Sequence, residues 1–311
     1  MLIIILILCV VVLLVRGKKV EEPGKVPFKN YNKDSRYLVI STGDFGDKYG
    51  KSCDKVDYKM SPDVQPFDWN KLGDIIFQNY MNYNGFIVLQ GPETITYTAA
   101  GLCFILENLA KPVVLTQNLS MAIKFISKYT IPEVVIIDDF KVYRGCRSKR
   151  YKGMFISPNF PVLSEKNVLK NENVLQPPEE SLKILPINTN KKIVVIKIFP
   201  NMTVNYIKNI LKVPGIYGII LESYENGYVS DDLKLLDYLK MIVKKGMIVV
   251  SVSQSLDNVS NPILENIGVI SGGTMTTEAV YAKLSLIISH VQKYNNEMVR
   301  KLMQNNMRGE I

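Results

Sequence analysis

Short apolar runs alternate with segments of helical periodicity along most of this chain, an order typical of a parallel sheet wrapped by helices. The alternation starts at the apolar run Tyr37–Ser41 and starts again at Ile193–Phe199. The predicted strands are 37–41, 85–89, 112–115, 133–137, 193–199, 215–222 and 247–253, and the predicted helices are 68–82, 94–110, 120–128, 204–211, 231–245 and 276–291. Because 311 residues are enough for two ordinary domains, we predict a two-domain α/β fold.

Segments without periodicity set the expected boundaries. Residues 1–35 are an apolar segment followed by a charged linker, and 36–162 form the N-terminal domain. Residues 163–191 are rich in Pro, Asn, Lys and Glu, which favours an interdomain connection. Residues 192–295 form a smaller C-terminal domain, and 296–311 are expected to be a polar tail.

The N-terminal segment predicts either a cleaved signal or an anchor. The apolar run Leu2–Val15 has 14 residues, which span about 21 Å as a helix, less than the hydrocarbon core of about 30 Å. This length favours a secretory signal peptide and export of the chain. The absence of Lys or Arg before the run, and the basic cluster after it, favour the alternative of a membrane-anchored chain. Membrane contact is expected only through this segment.

Charge and composition exclude several classes of function. The net charge is +9, but the Lys residues are scattered among acidic ones and no nucleic-acid-binding motif is present, so no nucleic-acid partner is expected. The single histidine, His290, falls in a helical pattern, and none of the four cysteines forms a CxxC pair. We therefore expect no metal and no cofactor. Cys103 is predicted to be a small core residue, and a disulfide among Cys53, Cys103 and Cys146 is possible only if the chain is secreted.

Two turns that follow predicted strands are the candidate ligand site. In parallel sheets flanked by helices, ligands bind beyond the carboxyl ends of the strands. Thr42-Gly43-Asp44 and Gln90-Gly91-Pro92-Glu93-Thr94 occupy such positions.

Both turns resemble motifs of the L-asparaginase family, especially its type I, cytoplasmic class. The turn that begins at Thr42 resembles the family's T-G-G-T-I-G, and the turn that begins at Gln90 resembles its H-G-T-D-T. Further segments are similar to family motifs in the same order: 106–116, 157–161, 221–224, 252–254 and 268–279. The resemblance runs from about residue 36 to 290. It implies a two-domain asparaginase-like fold, a homodimer or tetramer, and a small amino acid (asparagine or aspartate) as ligand.

The chemistry implied by the resemblance is hydrolysis of a side-chain amide. A Thr hydroxyl of the first motif attacks the amide, while a Thr, an Asp and a Lys handle the proton that the weak hydroxyl nucleophile must lose. Backbone N–H groups stabilise the oxyanion, and a Ser binds the α-carboxylate of the substrate.

The family's reactive residues are replaced in this chain. The nucleophilic Thr falls on Phe45, or on Asp44 if one residue is deleted, and the relay Thr falls on Pro92. The relay Asp falls on Glu93, which keeps the charge but could equally serve only to complement a helix dipole. The relay Lys falls on Arg150, which is always protonated, while Lys149 is one residue away and would point to the opposite face of a strand.

Other parts of the implied site are retained. Thr94, the last residue of the second motif, is kept, and Ser61 falls on the Ser that binds the carboxylate. The residues expected to bind substrate are Thr42, Gly43, Ser61, Gln90 and Gly91.

Three hypotheses follow. The first is an asparaginase-like protein that is catalytically dead or strongly impaired and retains asparagine or aspartate binding. The second is an active amidohydrolase with a rebuilt site, in which Asp44 or Thr94 is the nucleophile and Glu93 the base. Lys149, next to the position of the relay Lys, is a further catalytic candidate. The third is a structural or interaction protein that uses the family's dimer surface.

Overall fold

The computed structural model describes residues 37–43, 53–60, 62–166, 168–229, 233–256, 258–291 and 296–311. The predictions for 1–35, Asp44, Phe45 and Ser61 lie outside these residues. Within the described ranges, no helix is both long and apolar enough to span a membrane.

The described secondary structure consists of strands and helices that are numbered here in chain order. The strands are β1 (Tyr37–Ser41), β2 (Cys53–Asp57), β3 (Gly85–Leu89), β4 (Leu106–Glu107), β5 (Val113–Thr116), β6 (Val134–Asp138), β7 (Lys141–Arg144), β8 (Lys149–Tyr151), β9 (Met154–Ile156), β10 (Ser164–Glu165), β11 (Val168–Leu169), β12 (Lys183–Ile184), β13 (Lys192–Lys197), β14 (Ile216–Ser223), β15 (Ile248–Ser253) and β16 (Ile270–Ser271). The helices are α1 (Pro66–Asn79), α2 (Ile95–Ile105), α3 (Leu119–Ile126), α4 (Val204–Ile210), α5 (Leu233–Lys244), α6 (Pro262–Asn266), α7 (Thr277–His290) and α8 (Asn296–Gln304).

The N-terminal half is built around an eight-stranded sheet in the order β11-β10-β7-β6-β5-β3-β1-β2. The parallel strands are β2, β1, β3, β5 and β6, and β7, β10 and β11 add antiparallel pairs at one side. β1 and β3 are buried along their whole length, as expected for central strands covered on both faces. Apolar side chains of α1 and α2 pack on one face of the sheet, and α3 packs on the other.

The C-terminal half is a smaller parallel sheet of the described strands β13-β14-β15-β16. Its helix α7 packs against α2 of the N-terminal half, so a single apolar cluster includes residues of both halves. Tyr281 of α7 meets Trp69 and Tyr97 edge-on, with ring centroids 6.0 and 5.9 Å apart respectively. The predicted two-domain α/β architecture is confirmed.

The predicted helix 94–110 ends early. α2 stops at Ile105, because Leu106 and Glu107 form β4 and pair with β12 from the predicted interdomain connection. Asn108 then adopts a left-handed conformation with φ of 59°. The connection 163–191 is also more ordered than expected, since β10 and β11 extend the large sheet.

The segment 296–311 differs from the polar tail expected from its composition. It begins with α8, whose Val299 and Met303 are buried. Beyond α8, the carboxylate of Glu310 lies 2.5 Å from the ammonium of Lys283 on α7, and both side chains are fully buried. Burial alone would raise the pKa of Glu310, but Lys283 and two backbone N–H groups outweigh it and hold that pKa below its ordinary value. The polar residues of this segment are therefore an internal anchor for the chain end.

Two predictions made for single residues are confirmed. His290 lies at the end of α7, where its Nε2 is 3.0 Å from the carbonyl oxygen of Pro186. Cys103 is buried within α2. The described cysteines Cys53, Cys103 and Cys146 are free thiols, so the structure contains no disulfide among them.

Candidate active site

A cavity of about 190 Å³ lies at the carboxyl ends of β1 and β3. The described residues that line it are Thr42, Gly43, Met60, Pro62, Val64, Gln90, Gly91, Glu93 and Thr94. β1 and β3 are adjacent parallel strands with Ser41 opposite Leu89, so the turns that follow them emerge side by side. Six of the residues predicted from the sequence thereby meet in one cavity. Its volume is below the roughly 300–1,000 Å³ of sites for drug-sized ligands.

The hydroxyl of Thr42 is used to join the two strands. Thr42 Oγ1 donates a hydrogen bond to the carbonyl of Leu89 at 2.7 Å, and the backbone N–H of Thr42 donates to the same carbonyl at 3.0 Å. The residue is only 5% exposed. The proton of this hydroxyl is therefore held by a backbone acceptor inside the sheet.

The hydroxyl of Thr94 is held in the same way. Thr94 lies immediately before α2, and its Oγ1 donates to the carbonyl of Pro62 at 2.9 Å. It also accepts a hydrogen bond from Gln90 Nε2 at 3.2 Å. The same Gln90 nitrogen donates to Thr98 Oγ1, one helical turn further along, at 3.0 Å.

The charged group at the mouth of the cavity is Glu93. This residue is exposed and precedes the N-terminus of α2, where a negative charge also complements the helix dipole. Its carboxylate folds over Gly91, since a Cβ added at Gly91 would lie 2.7 Å from Glu93 Oε2. A side chain at position 91 would therefore displace the carboxylate.

Lys149 and Arg150 are not among the residues that line this cavity. Lys149 Nζ lies 4.0 Å from Glu278 Oε2 on α7, at the junction of the two halves. Arg150 lies on the other face of β8, with its guanidinium 6.0 Å from the ring centroid of its cross-strand partner Phe155. The structure thus brings Glu93 and Thr94 together but places the catalytic candidate Lys149 beside a different carboxylate, that of Glu278.

The side chains around Glu278 were not singled out from the sequence. Glu278 is buried in the first turn of α7, and burial raises the pKa of its carboxyl, although Lys149 opposes the shift. Nearby, Thr277 Oγ1 donates to Glu222 Oε1 at 2.7 Å, and burial beside both carboxylates raises the pKa of Tyr97. An acidic residue in a first helical turn is so common that it carries little functional signal.

Thr98 is another residue that the motif comparison missed. It follows Thr94 by four residues, and that spacing places two side chains on the same face of a helix. This spacing of four residues is the sequence feature that could have predicted that the hydroxyls of Thr94 and Thr98 both contact Gln90.

Comparisons with known proteins show the family of the chain. Residues 44–176 match the family described as "Asparaginase, N-terminal", and residues 192–303 match the "Glutaminase/Asparaginase C-terminal domain". The chain is 33% identical over 279 residues to L-asparaginase 1 of Escherichia coli (strain K12), covering 81% of each chain. It is 30% identical over 281 residues to an L-asparaginase of Dirofilaria immitis, covering 81% of this chain and 47% of that longer protein.

Solved structures give the same result for the fold. The structure of L-asparaginase I from Vibrio cholerae O1 biovar eltor str. N16961 matches with a TM-score of 0.78 and 29% identity, covering 89% of this chain and 99% of that one. The thermostable L-asparaginase from Thermococcus kodakarensis matches with a TM-score of 0.76 and 24% identity, over 89% of this chain and 99% of that one.

Proposed function

Because the chain belongs to the asparaginase family, we propose that it binds asparagine or aspartate in the cavity between β1 and β3 while hydrolysing the amide very slowly or not at all. The ligand class comes from the family, and the loss of hydrolysis comes from the residues of this chain. The protein is an asparaginase-like pseudoenzyme in this proposal.

The observation that carries the proposal is the use of the hydroxyl protons. A hydroxyl becomes a competent nucleophile when a positioned base takes its proton. The two threonine hydroxyls in the described cavity wall, Thr42 and Thr94, donate instead to the backbone carbonyls of Leu89 and Pro62. A backbone carbonyl cannot act as that base, so neither hydroxyl is activated.

The residues that could relay a proton also argue against hydrolysis. Pro92 has no hydroxyl, and an arginine, Arg150, stands at the position of the relay Lys. Lys149 lies near Glu278 rather than against the cavity. Since the members of a catalytic unit act together, loss of one commonly lowers the rate about 10³-fold or more, and further losses add little.

Ammonia release and ligand binding, measured on the same purified full-length chain, test the proposal. We expect no ammonia from L-asparagine above the level of an Asp44→Ala, Thr94→Val double variant, together with saturable binding in calorimetry. Glu93→Gln should weaken binding of the ligand ammonium, whereas Glu172→Gln, at an exposed position in the 3₁₀ turn Asn171–Asn173, should not. Ammonia release that the double variant abolishes would overturn the proposal.

Active hydrolysis is a second candidate, and a specific comparison favours it. The identity of 33% to L-asparaginase 1 of Escherichia coli extends over most of both chains. In this alternative Asp44 or Thr94 serves as nucleophile with Glu93 as base. Single Asp44→Ala and Thr94→Val variants then identify the nucleophile by which one loses the release of ammonia.

If neither turnover nor binding is observed, the interaction hypothesis stands instead. We propose a homodimer or tetramer under each hypothesis, and light scattering of the purified chain measures the mass. We also propose export through the segment 1–35, with a membrane anchor as the alternative. N-terminal sequencing of the mature protein and its partition between soluble and membrane fractions separate these two outcomes.

A further inference from the structure

Gln90 is a buried polar residue in the cavity wall. It follows β3 directly, lines the cavity and is only 3% exposed. Its side-chain nitrogen is well supplied with partners, since it donates to Thr94 Oγ1 at 3.2 Å and to Thr98 Oγ1 at 3.0 Å. Its side-chain oxygen, Oε1, is buried and has no hydrogen-bond partner among the residues that the structure describes.

The orientation of the Gln90 amide follows from the hydrogen bonds of the two hydroxyls. Thr94 Oγ1 donates its proton to the carbonyl of Pro62, and Thr98 Oγ1 donates its proton to the carbonyl of Thr94 at 3.3 Å. Each hydroxyl has one proton and a carbonyl can only accept, so both hydroxyls face Gln90 with lone pairs. In this arrangement, the NH₂ group faces the two hydroxyls and Oε1 points away from them.

An amide oxygen that is buried without a donor is unfavourable, and such atoms are rare in native proteins. Gln90 is itself one of the residues that line the cavity. The other polar side-chain atoms of the described wall are also acceptors, because Glu93 is a carboxylate and the protons of Thr42 and Thr94 are already used. None of the described residues that line the cavity is Lys, Arg or His.

We propose that Gln90 is a specificity-determining residue whose Oε1 accepts a hydrogen bond from an N–H of the ligand. A ligand with an uncharged amide NH₂ can make this bond, whereas a carboxylate at the same place would set lone pairs against lone pairs. The site therefore selects asparagine over aspartate. This inference rests on the proposed function, since it concerns the ligand of the same cavity.

The test is the ratio of the dissociation constants for L-aspartate and L-asparagine, measured by calorimetry on the full-length chain. In the unmodified protein we expect asparagine to bind about tenfold tighter or more, the effect of one buried hydrogen bond. In Gln90→Leu, which cannot accept, asparagine should lose that advantage, and the ratio should fall to within about twofold of one.

Gln78→Leu is the matched control. It makes the same substitution at an exposed glutamine of α1 that does not line the cavity. We expect this variant to keep the ratio of the unmodified protein. If Gln90→Leu is not folded by circular dichroism, Gln90→Met and Gln90→Glu replace it, because both keep the length of the side chain. Gln90→Met should bring the ratio of the dissociation constants close to one. Gln90→Glu should weaken the binding of aspartate further.

The outcomes separate this inference from the proposed function. If both ligands bind the unmodified chain and a folded Gln90→Leu variant keeps the original ratio, Oε1 is satisfied by water or by the protein, and the inference is wrong while the proposed function stands. A ratio near one in the unmodified protein also contradicts the inference. If neither amino acid binds the unmodified chain, the proposed function itself fails.

Discussion

Lys149 and Arg150 are neighbours in the chain but meet different environments, because successive side chains of a strand point to opposite faces. Lys149 reaches the buried carboxylate of Glu278 on α7, and Arg150 lies over the ring of Phe155. Thr42 and Thr94 show the same dependence on partners, since both hydroxyls donate to carbonyls. At this scale, the chemistry of a side chain depends on the atoms that the fold places beside it.

His290 allows a clean test of burial at the residue scale. Burial lowers its pKa from the ordinary value of 6.5, although the carbonyl of Pro186 opposes the shift. The unfolded chain therefore binds a proton in a range of pH below 6.5 where the folded chain does not. The contribution of neutral His290 to stability is present above that range and is lost as the pH falls through it.

The measurement is an NMR titration of the imidazole Hε1 signal. The chain contains a single histidine, so the signal needs no assignment by mutation. We expect a midpoint below 6.5 in the folded protein and a midpoint near 6.5 in urea. A folded midpoint at or above the value in urea would contradict the burial of this ring.

The packing of α1 against α2 depends on a glycine at the element scale. Gly101 lies in the middle of α2, where glycine is normally less favourable than alanine. A Cβ at this position would lie 2.4 Å from a ring carbon of Trp69 on α1. The absence of a side chain therefore permits the close approach of the two helices.

We expect Gly101→Ala to lower the free energy of unfolding by about 1–3 kcal/mol, because overpacking outweighs the gain in helix propensity. Urea denaturation measures the change. Gly73→Ala in α1 is the matched control, since its nearest contact is a side-chain methyl of Ile105 at 3.0 Å, which can shift. Equal effects of the two substitutions would argue against a specific contact between Gly101 and Trp69.

The segment 296–311 takes part in one buried and one exposed ion pair. Glu310 and Lys283 form a fully buried pair, and Lys283 also donates to the carbonyls of Met303 and Asn305. On the surface of α8, Glu297 and Lys301 form a pair in which both side chains are more than half exposed. Removing one partner leaves an uncompensated buried charge only in the first pair.

We therefore expect Glu310→Gln to destabilise the protein by about 3–5 kcal/mol and Glu297→Gln to change its stability by less than about 1 kcal/mol. Thermal and urea denaturation of both variants at neutral pH measure the difference. A Glu310→Gln variant as stable as the unmodified protein would show that the C-terminal segment is not anchored by this pair.

At the scale of the whole molecule, the two halves share one apolar core. The largest cluster of buried residues extends from β1 and β3 through α2 and α7 to β15. Trp69, the single tryptophan of the chain, lies in this cluster and contacts Tyr281 of the C-terminal half. A shared core of this kind couples the stability of the two halves.

We expect both halves to unfold in one transition. Trp69 fluorescence reports on the N-terminal half and its contact with α7, while far-UV circular dichroism reports on all helices and strands. The two urea denaturation curves should therefore superimpose. Separate midpoints would show that the halves unfold independently and that the contact between α2 and α7 contributes little.

Apolar patterning was enough to predict the larger elements. Strands such as Tyr37–Ser41 and Gly85–Leu89 have the predicted bounds, because a central strand is buried on both faces and reads as an uninterrupted apolar run. The short strands β4 and β10–β12 were missed, because two paired residues leave too little periodicity to detect. The sequence of α8 was interpreted as a polar tail, because its apolar residues are few and most of its other residues are polar.

The sequence by itself determined the two-domain α/β fold, the family and the turns that follow β1 and β3, because these depend on local periodicity and on contiguous motifs. The tertiary structure decided which atoms meet. It placed the ammonium of Lys149 near Glu278, the hydroxyls of Thr42 and Thr94 against carbonyls, and the amide of Gln90 with its oxygen unpartnered among the described residues. These contacts join residues that are distant in the chain or that lie on opposite faces of one strand. Side-chain direction and hydrogen-bond partners depend on packing, which residue order alone does not specify.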